Sequence, residues 1–195
     1  MTQVYLDALV AGARSGQLVS FPTDTVTALA VRPDRAELIF AAKRRSQDKP
    51  LILMGASPAS LWPFVTGSDQ ERQIWQQVAD LYWPGALTLV LPASGSVPQA
   101  MNPGYTDIGL RVPACAIAQA ILSQTGPLAT TSANLSGEPP LQTMAEVEKK
   151  FPDVLTLLCT GLEPLKPTNG VPSTVAKWSG GSWKILRQGA VKLVS

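Results

Sequence analysis

The sequence contains no histidine, and that absence removes whole classes of chemistry before any motif is read. Without an imidazole there is no Ser-His-Asp or Cys-His nucleophile system and no His-ligated zinc site. Cysteine is nearly as scarce. Cys115 and Cys159 stand far apart in the chain, in apolar surroundings and in no CxxC or zinc spacing, and read as buried free thiols. Charge is thin too: 15% of 195 residues, with 16 Lys and Arg against 14 Asp and Glu. A net charge of +2 with no basic run is too mild to imply nucleic-acid binding by itself. The one tight group of cations is Lys43, Arg44, Arg45 and Lys49. No apolar run exceeds strand length, so no segment is expected to span a membrane. The opening MTQVYLDALVAGARSG puts acidic and polar residues where a signal peptide needs an apolar core, so a soluble, cytoplasmic protein is expected.

What the chain does have is apolar surface. At 45% hydrophobic it can bury a sizeable core. Helical and strand-length patterns alternate, many strands are bounded by proline, and a hairpin lies near the end. The expected fold is therefore α/β: a single domain over residues 1–195, with a twisted mixed β-sheet flanked by helices. Val4 to Arg14 is spaced as a helix ending at Gly16, and Leu18 to Phe21 reads as a strand stopped by Pro22. Asp34-Arg-Ala-Glu37 has the pattern of a capping box and predicts a helix through Lys43. Pro50 to Met54, Ala86 to Leu91, Asp107 to Val112 and Val154 to Leu158 read as strands. Cys115 to Leu122 reads as a helix, and Thr143-Met-Ala-Glu146 as the cap of another ending near Lys150. Ser173 to Trp178 and Trp183 to Arg187, split by Ser-Gly-Gly-Ser, predict a hairpin. Segments 94–105 and 161–172 are broken by Gly and Pro and read as loops, the first expected to close over a ligand.

The chain is organised around Pro127 to Pro140, PLATTSANLSGEPP. A short apolar run climbs into Thr130, Thr131 and Ser132, then Asn134 and Gly137, as at the end of a buried strand and the turn after it. Such a strand end displays hydroxyls, an amide and backbone N–H groups, the equipment for holding an anion. Three other stretches share that chemistry: Thr23 to Thr25, Arg111, and Ser173-Thr174 with Arg187. There is no GxxxxGK, no GxGxxG, no carboxylate pair and no metal triad. A site of hydroxyls, backbone amides, Lys and Arg suits the binding and positioning of anions. Phosphoryl chemistry can run on that alone if Mg²⁺ arrives with the nucleotide.

Seven blocks, FPTDTV, KRRSQDKPLIL, WPGALTLVL, IGLRVP, TTSANLSGEPP, VPSTV and ILRQGAV, follow one another over nearly the full length. On these the chain resembles the YrdC/TsaC family, the threonylcarbamoyl-AMP synthases that supply tRNA threonylcarbamoyladenosine formation. Ending just after ILRQGAV, it looks like the short form without the extra C-terminal domain. The resemblance implies a YrdC-like fold and a reaction combining L-threonine, bicarbonate and ATP into threonylcarbamoyl-AMP and pyrophosphate. Mg²⁺ would come with ATP, and no resident metal is implied. Partners would be downstream tRNA-modification proteins, with weak contact to RNA. By resemblance, Lys43 and Arg45 act on the ATP phosphates with Lys49 nearby, while Ser132, Asn134 and Arg187 hold the nucleotide. Thr23, Arg111, Thr130 and Ser173 would frame L-threonine, with Arg111 the natural bidentate partner of its carboxylate. Three positions depart from the family pattern: Thr27-Ala28 where Tyr-Gly is usual, Ser46 where Pro is common, and Asp107 where a small or hydroxyl residue is common. Two other readings keep the fold: a domain for another carbamoyl transfer, normally found inside much longer chains, and an RNA-binding or ribosome-associated protein.

Overall fold

The computed structural model describes residues 2–159 and 170–193. Ten strands are described: β1 (Gln3–Val4), β2 (Val19–Phe21), β3 (Ala28–Val31), β4 (Ile52–Met54), β5 (Leu87–Pro92), β6 (Asp107–Arg111), β7 (Leu128–Ser132), β8 (Leu155–Leu157), β9 (Thr174–Ser179) and β10 (Ser182–Arg187). Six α-helices join them: α1 (Leu6–Arg14), α2 (Glu37–Lys43), α3 (Pro58–Leu61), α4 (Asp69–Tyr82), α5 (Ala116–Thr125) and α6 (Met144–Lys150). The strands form one mixed sheet in the order β1-β8-β2-β3-β7-β4-β6-β5-β9-β10. The pairs β1/β8, β8/β2, β4/β6 and β5/β9 run parallel and the others antiparallel.

Side chains alternate between the two faces of a strand, and that alternation decides what the sheet covers and what it leaves open. On one face Leu29 and Val31 of β3, Leu53 of β4, Ile108 and Leu110 of β6 and Leu89 and Leu91 of β5 are buried. They pack with Ile39 and Phe40 of α2, Trp75 and Ala79 of α4, and Val147 of α6. On the other face α1 and α5 cover only part of the sheet, where Leu9, Ala13 and Ile121 meet Val19, Phe21, Ala30 and Leu128. Beyond those helices the second face is not filled by any of the described residues. Burying the first face supplies the stability, at about 25 cal/mol per Å² of apolar area removed from water. The open part of the second face is where a ligand can enter.

Local chemistry explains most boundaries. Ser68 and Glu71 close a capping box at α4, and Thr143 with Glu146 closes another at α6. Gly180 and Gly181 take φ +59° and +86°, the left-handed pair that a two-residue hairpin between β9 and β10 requires. Three expectations need correction. Asp34 does not cap α2: residues 33–35 form a 3₁₀ turn, and the Asp34 carboxylate instead pairs with Arg32 at 2.6 Å. That hydrogen bond from Arg32 holds the Asp34 carboxyl below its ordinary value. Val4 lies in β1 rather than in α1, because Gln3 and Val4 pair with Thr156 and Leu157 of β8. Of the loop expected at 161–172, residues 161–169 lie outside those described. Cys115 is buried, but Cys159 is only half-buried. No described helix is long and apolar enough to cross a membrane.

Candidate active site

The uncovered part of the second face is the floor of a cavity of about 370 Å³. Strand register places its residues in line. Thr130 pairs with Ile52, Ile52 with Gly109, Gly109 with Val90 and Val90 with Lys177. All five line the cavity, as do Arg111 and Thr88 of the same face. The alternation of Ile108-Gly-Leu-Arg111 therefore works out as the sequence requires: Leu110 goes to the core, and Gly109 and Arg111 go to the cavity. The site is thus not confined to strand ends, as the loop chemistry alone implied. It lies across the middle of a sheet face, with the 127–140 segment forming one wall through Thr130, Thr131, Ser132 and Pro140.

Of the ten residues singled out from the sequence, Thr23, Arg45, Arg111, Thr130, Ser132, Ser173 and Arg187 line this cavity. Arg111 is buried, and its guanidinium is already engaged. Nε donates to the Gly85 carbonyl (3.0 Å), Nη1 to Thr25 Oγ1 (2.8 Å) and Nη2 to Asp24 Oδ1 (2.7 Å). Desolvation lowers its pKa and the Asp24 carboxylate opposes that shift. A guanidinium has five N–H donors, so one on each terminal nitrogen remains for a ligand. Arg45 donates to the carbonyls of Lys49 and Pro50, and Arg187 to that of Ser173, so both cations are braced on backbone. Thr130 donates to the Ile52 carbonyl (3.0 Å), and Ser173 Oγ shares a hydrogen bond with Thr88 Oγ1 (2.8 Å).

Lys43, Lys49 and Asn134 are not among the residues that line the cavity. Arg44, in left-handed conformation at the end of α2 (φ +48°), turns the chain there; Lys43 is buried behind the wall. Its ammonium donates to the Ser132 carbonyl and to Asn134 Oδ1, and Ser132 Oγ donates to that same oxygen. Burial, with help from the charge of Arg45, lowers the Lys43 pKa from 10.5 to about 7. Lys49 is exposed. Sequence reasoning gave no individual role to four contributors. Asp24 and Thr25 sit in FPTDTV, but nothing local shows that they grip Arg111. Thr88 is hidden in an apolar run, and Lys177 pairs with Asp107 at 2.7 Å in the cavity lining. Thr27 and Ala28 line the cavity as well. Among the described residues no group of three or more His, Cys, Asp or Glu could hold a metal ion.

A family model for Sua5, YciO and YrdC proteins, described as telomere recombination, matches residues 12–189. The chain belongs to that family. Among its relatives, the threonylcarbamoyl-AMP synthase of Vibrio campbellii is 34% identical over 184 residues, covering 90% of this chain and 94% of the relative. The threonylcarbamoyl-AMP synthase of Pyrococcus abyssi is 35% identical and covers 92% of this chain, which spans only 52% of that longer protein. The crystal structure of P. abyssi Sua5 complexed with L-threonine superposes with a TM-score of 0.83 at 31% identity. It covers 94% of this chain and 54% of its own. The Sua5/YciO/YrdC fold is thus the single mixed sheet described above, with helices on both faces and an opening on one.

Proposed function

We propose that this protein makes threonylcarbamoyl-AMP and pyrophosphate from L-threonine, bicarbonate and ATP, for threonylcarbamoyladenosine modification of tRNA. One observation carries the reading: seven residues drawn from six separate sequence blocks meet in one cavity rich in hydroxyls and cations. In the reaction the amine of threonine adds to the carbon of carbon dioxide derived from bicarbonate. A carbamate oxygen then attacks the α-phosphorus, and the bond to the bridging oxygen breaks as pyrophosphate leaves. This needs positioning and charge stabilisation rather than a protein base. Arg111 would take the amino-acid carboxylate with its two remaining N–H donors, framed by Thr23, Thr130 and Ser173. Arg45, Arg187 and Ser132 would hold the nucleotide, whose Mg²⁺ arrives as part of the substrate. Lys43 acts from behind, by holding the Ser132-Asn134 turn and placing a positive charge against it. A mixed anhydride of this kind hydrolyses readily, so a downstream tRNA-modification protein must take it over in the cytoplasm. An RNA-binding role has less support, since these cations line a pocket instead of forming a basic stripe.

The test is product formation. Pyrophosphate release should require both threonine and bicarbonate, and labelled threonine should appear in an adenylate. Equal ATP turnover with neither substrate would make the protein a nucleotidase instead. Gly109 offers a second check. A methyl group there would sit 3.4 Å from Thr88 Cγ2 and 3.5 Å from Ile52 Cγ1, ordinary contacts, while intruding on the cavity floor. Gly109→Ala should therefore leave stability within about 1 kcal/mol of wild type. It should weaken L-threonine or ATP by about 1–3 kcal/mol, the usual cost of overpacking. Unfolding curves and calorimetry separate the two effects; unchanged affinity for both ligands would mean the substrate does not reach the floor.

A further inference from the structure

Two side-chain ion pairs of opposite character reach the cavity lining, one through Arg111 and the other through both its members. Arg111–Asp24 is locked: its side chains are 5% and 15% exposed and the arginine has two further protein partners. Lys177–Asp107 is different. Its side chains are 36% and 21% exposed, and the ammonium makes one bond, to Asp107 Oδ2 at 2.7 Å. The two residues are not strand neighbours. Asp107 is on β6 and Lys177 on β9, with β5 between them, and Val90 is the register partner of Lys177. The pair therefore bridges two strand spacings, roughly 9–10 Å, across the cavity floor. Only a long flexible stem can make that reach.

The geometry points to Lys177 as a polyphosphate-binding residue of this site, held in reserve by Asp107. This rests on the proposed function and adds a contact to it. An ammonium has three N–H donors, and Asp107 uses one. Arg45 and Arg187 are braced on backbone carbonyls, and Arg111 on Asp24, so their heads are fixed. Lys177 is the cavity cation, among the described residues, whose one partner is a part-exposed carboxylate, an arrangement weakly held in water and easily exchanged. In the empty cavity the pair is neutral, which removes the repulsion that a bare Asp107 would exert on an incoming nucleotide. When phosphate oxygens take the ammonium, Asp107 is left beside them as an anion. It then limits how tightly pyrophosphate is held and favours its release.

Calorimetric titration of inorganic pyrophosphate and of ATP with Mg²⁺ tests this in four proteins: wild type, Lys177→Met, Asp107→Asn and the double variant. Lys177→Met removes the cation and bares the carboxylate, and should weaken pyrophosphate by about 30-fold or more. Asp107→Asn should tighten it by about 3- to 10-fold. The double variant should return to within about fivefold of wild type, because both the attraction and the repulsion are gone. L-Threonine affinity should stay within about twofold throughout. Four equal pyrophosphate affinities, or equal losses in both single variants, would show a merely structural pair and overturn the assignment. A wild-type protein that binds neither pyrophosphate nor ATP would sink the proposed function, and this inference with it.

Discussion

Arg111→Ala is expected to lower stability by about 3–5 kcal/mol, the cost of removing one member of a buried ion pair. Asp24, 15% exposed, would lose its ion-pair partner while still largely out of water. The Gly85 carbonyl and the Thr25 hydroxyl would each lose a donor as well. For a chain of this length that loss corresponds to a fall of roughly 10 °C in Tm. L-Threonine binding should vanish with it. Arg111→Lys separates the two roles. It keeps a charge for Asp24 but cannot also reach Gly85 and Thr25 as a planar fork does. Threonine should then weaken by about 1.5–3 kcal/mol, and ATP far less. If the alanine variant fails to fold, Arg111→Met with Asp24→Leu removes both charges and should restore most of the stability. Calorimetry of both ligands on the lysine variant decides the assignment: equal losses for ATP and threonine would place Arg111 in the wrong subsite.

Lys43 should make stability depend on pH in an unusual direction. Its pKa in the folded protein, about 7, lies below its ordinary 10.5, and desolvation is the main cause. Between those values the unfolded chain carries the extra proton, so stability rises with pH across the window. The penalty is fully present below pH about 7 and is gone above about 10.5. Each pH unit is worth at most about 1.4 kcal/mol, so wild type should gain roughly 2–3 kcal/mol between pH 7 and 9.5 from this residue alone. Lys43→Met lacks the term, while the other titrating groups are common to both proteins and cancel in the difference. Denaturant unfolding of the pair at several pH values reads it directly, and parallel curves would show that Lys43 stays charged throughout. A polyanion bound at the Ser132 turn should restore the charge. ATP binding near pH 8 should therefore take up a proton, seen as a binding enthalpy that changes with buffer.

Much of the fold was readable because the signals behind it are local. The capping box at Thr143, the Gly180-Gly181 turn and the strand-length apolar runs each act within a few residues. The failures had a local competitor or a distant partner. Asp34 was taken by Arg32 two residues before it, and Val4 by a strand more than 150 residues away. Gly189 shows the same limit within a recognised motif. A Cβ there would lie 2.2 Å from the Pro172 carbonyl oxygen, so ILRQGAV needs glycine for a contact that the motif alone does not reveal.

By itself the sequence determined the class of site: no imidazole, no acid pair, hydroxyls and cations at strand ends, and in IGLR an alternation that sends Arg111 away from the core. These follow from composition and from the period of two along a strand, which any fold must obey. Only the tertiary structure decided which groups meet. The order β4-β6-β5-β9 carries Lys177 to Asp107 across 70 residues of chain, and the packing of the turn after β2 brings Asp24 to Arg111 across 87. It also buried Lys43 behind the Ser132 turn, a depth that the basic cluster in the sequence does not reveal. Strand order and the depth of a side chain depend on how distant segments share one core, and no periodicity in the sequence encodes that.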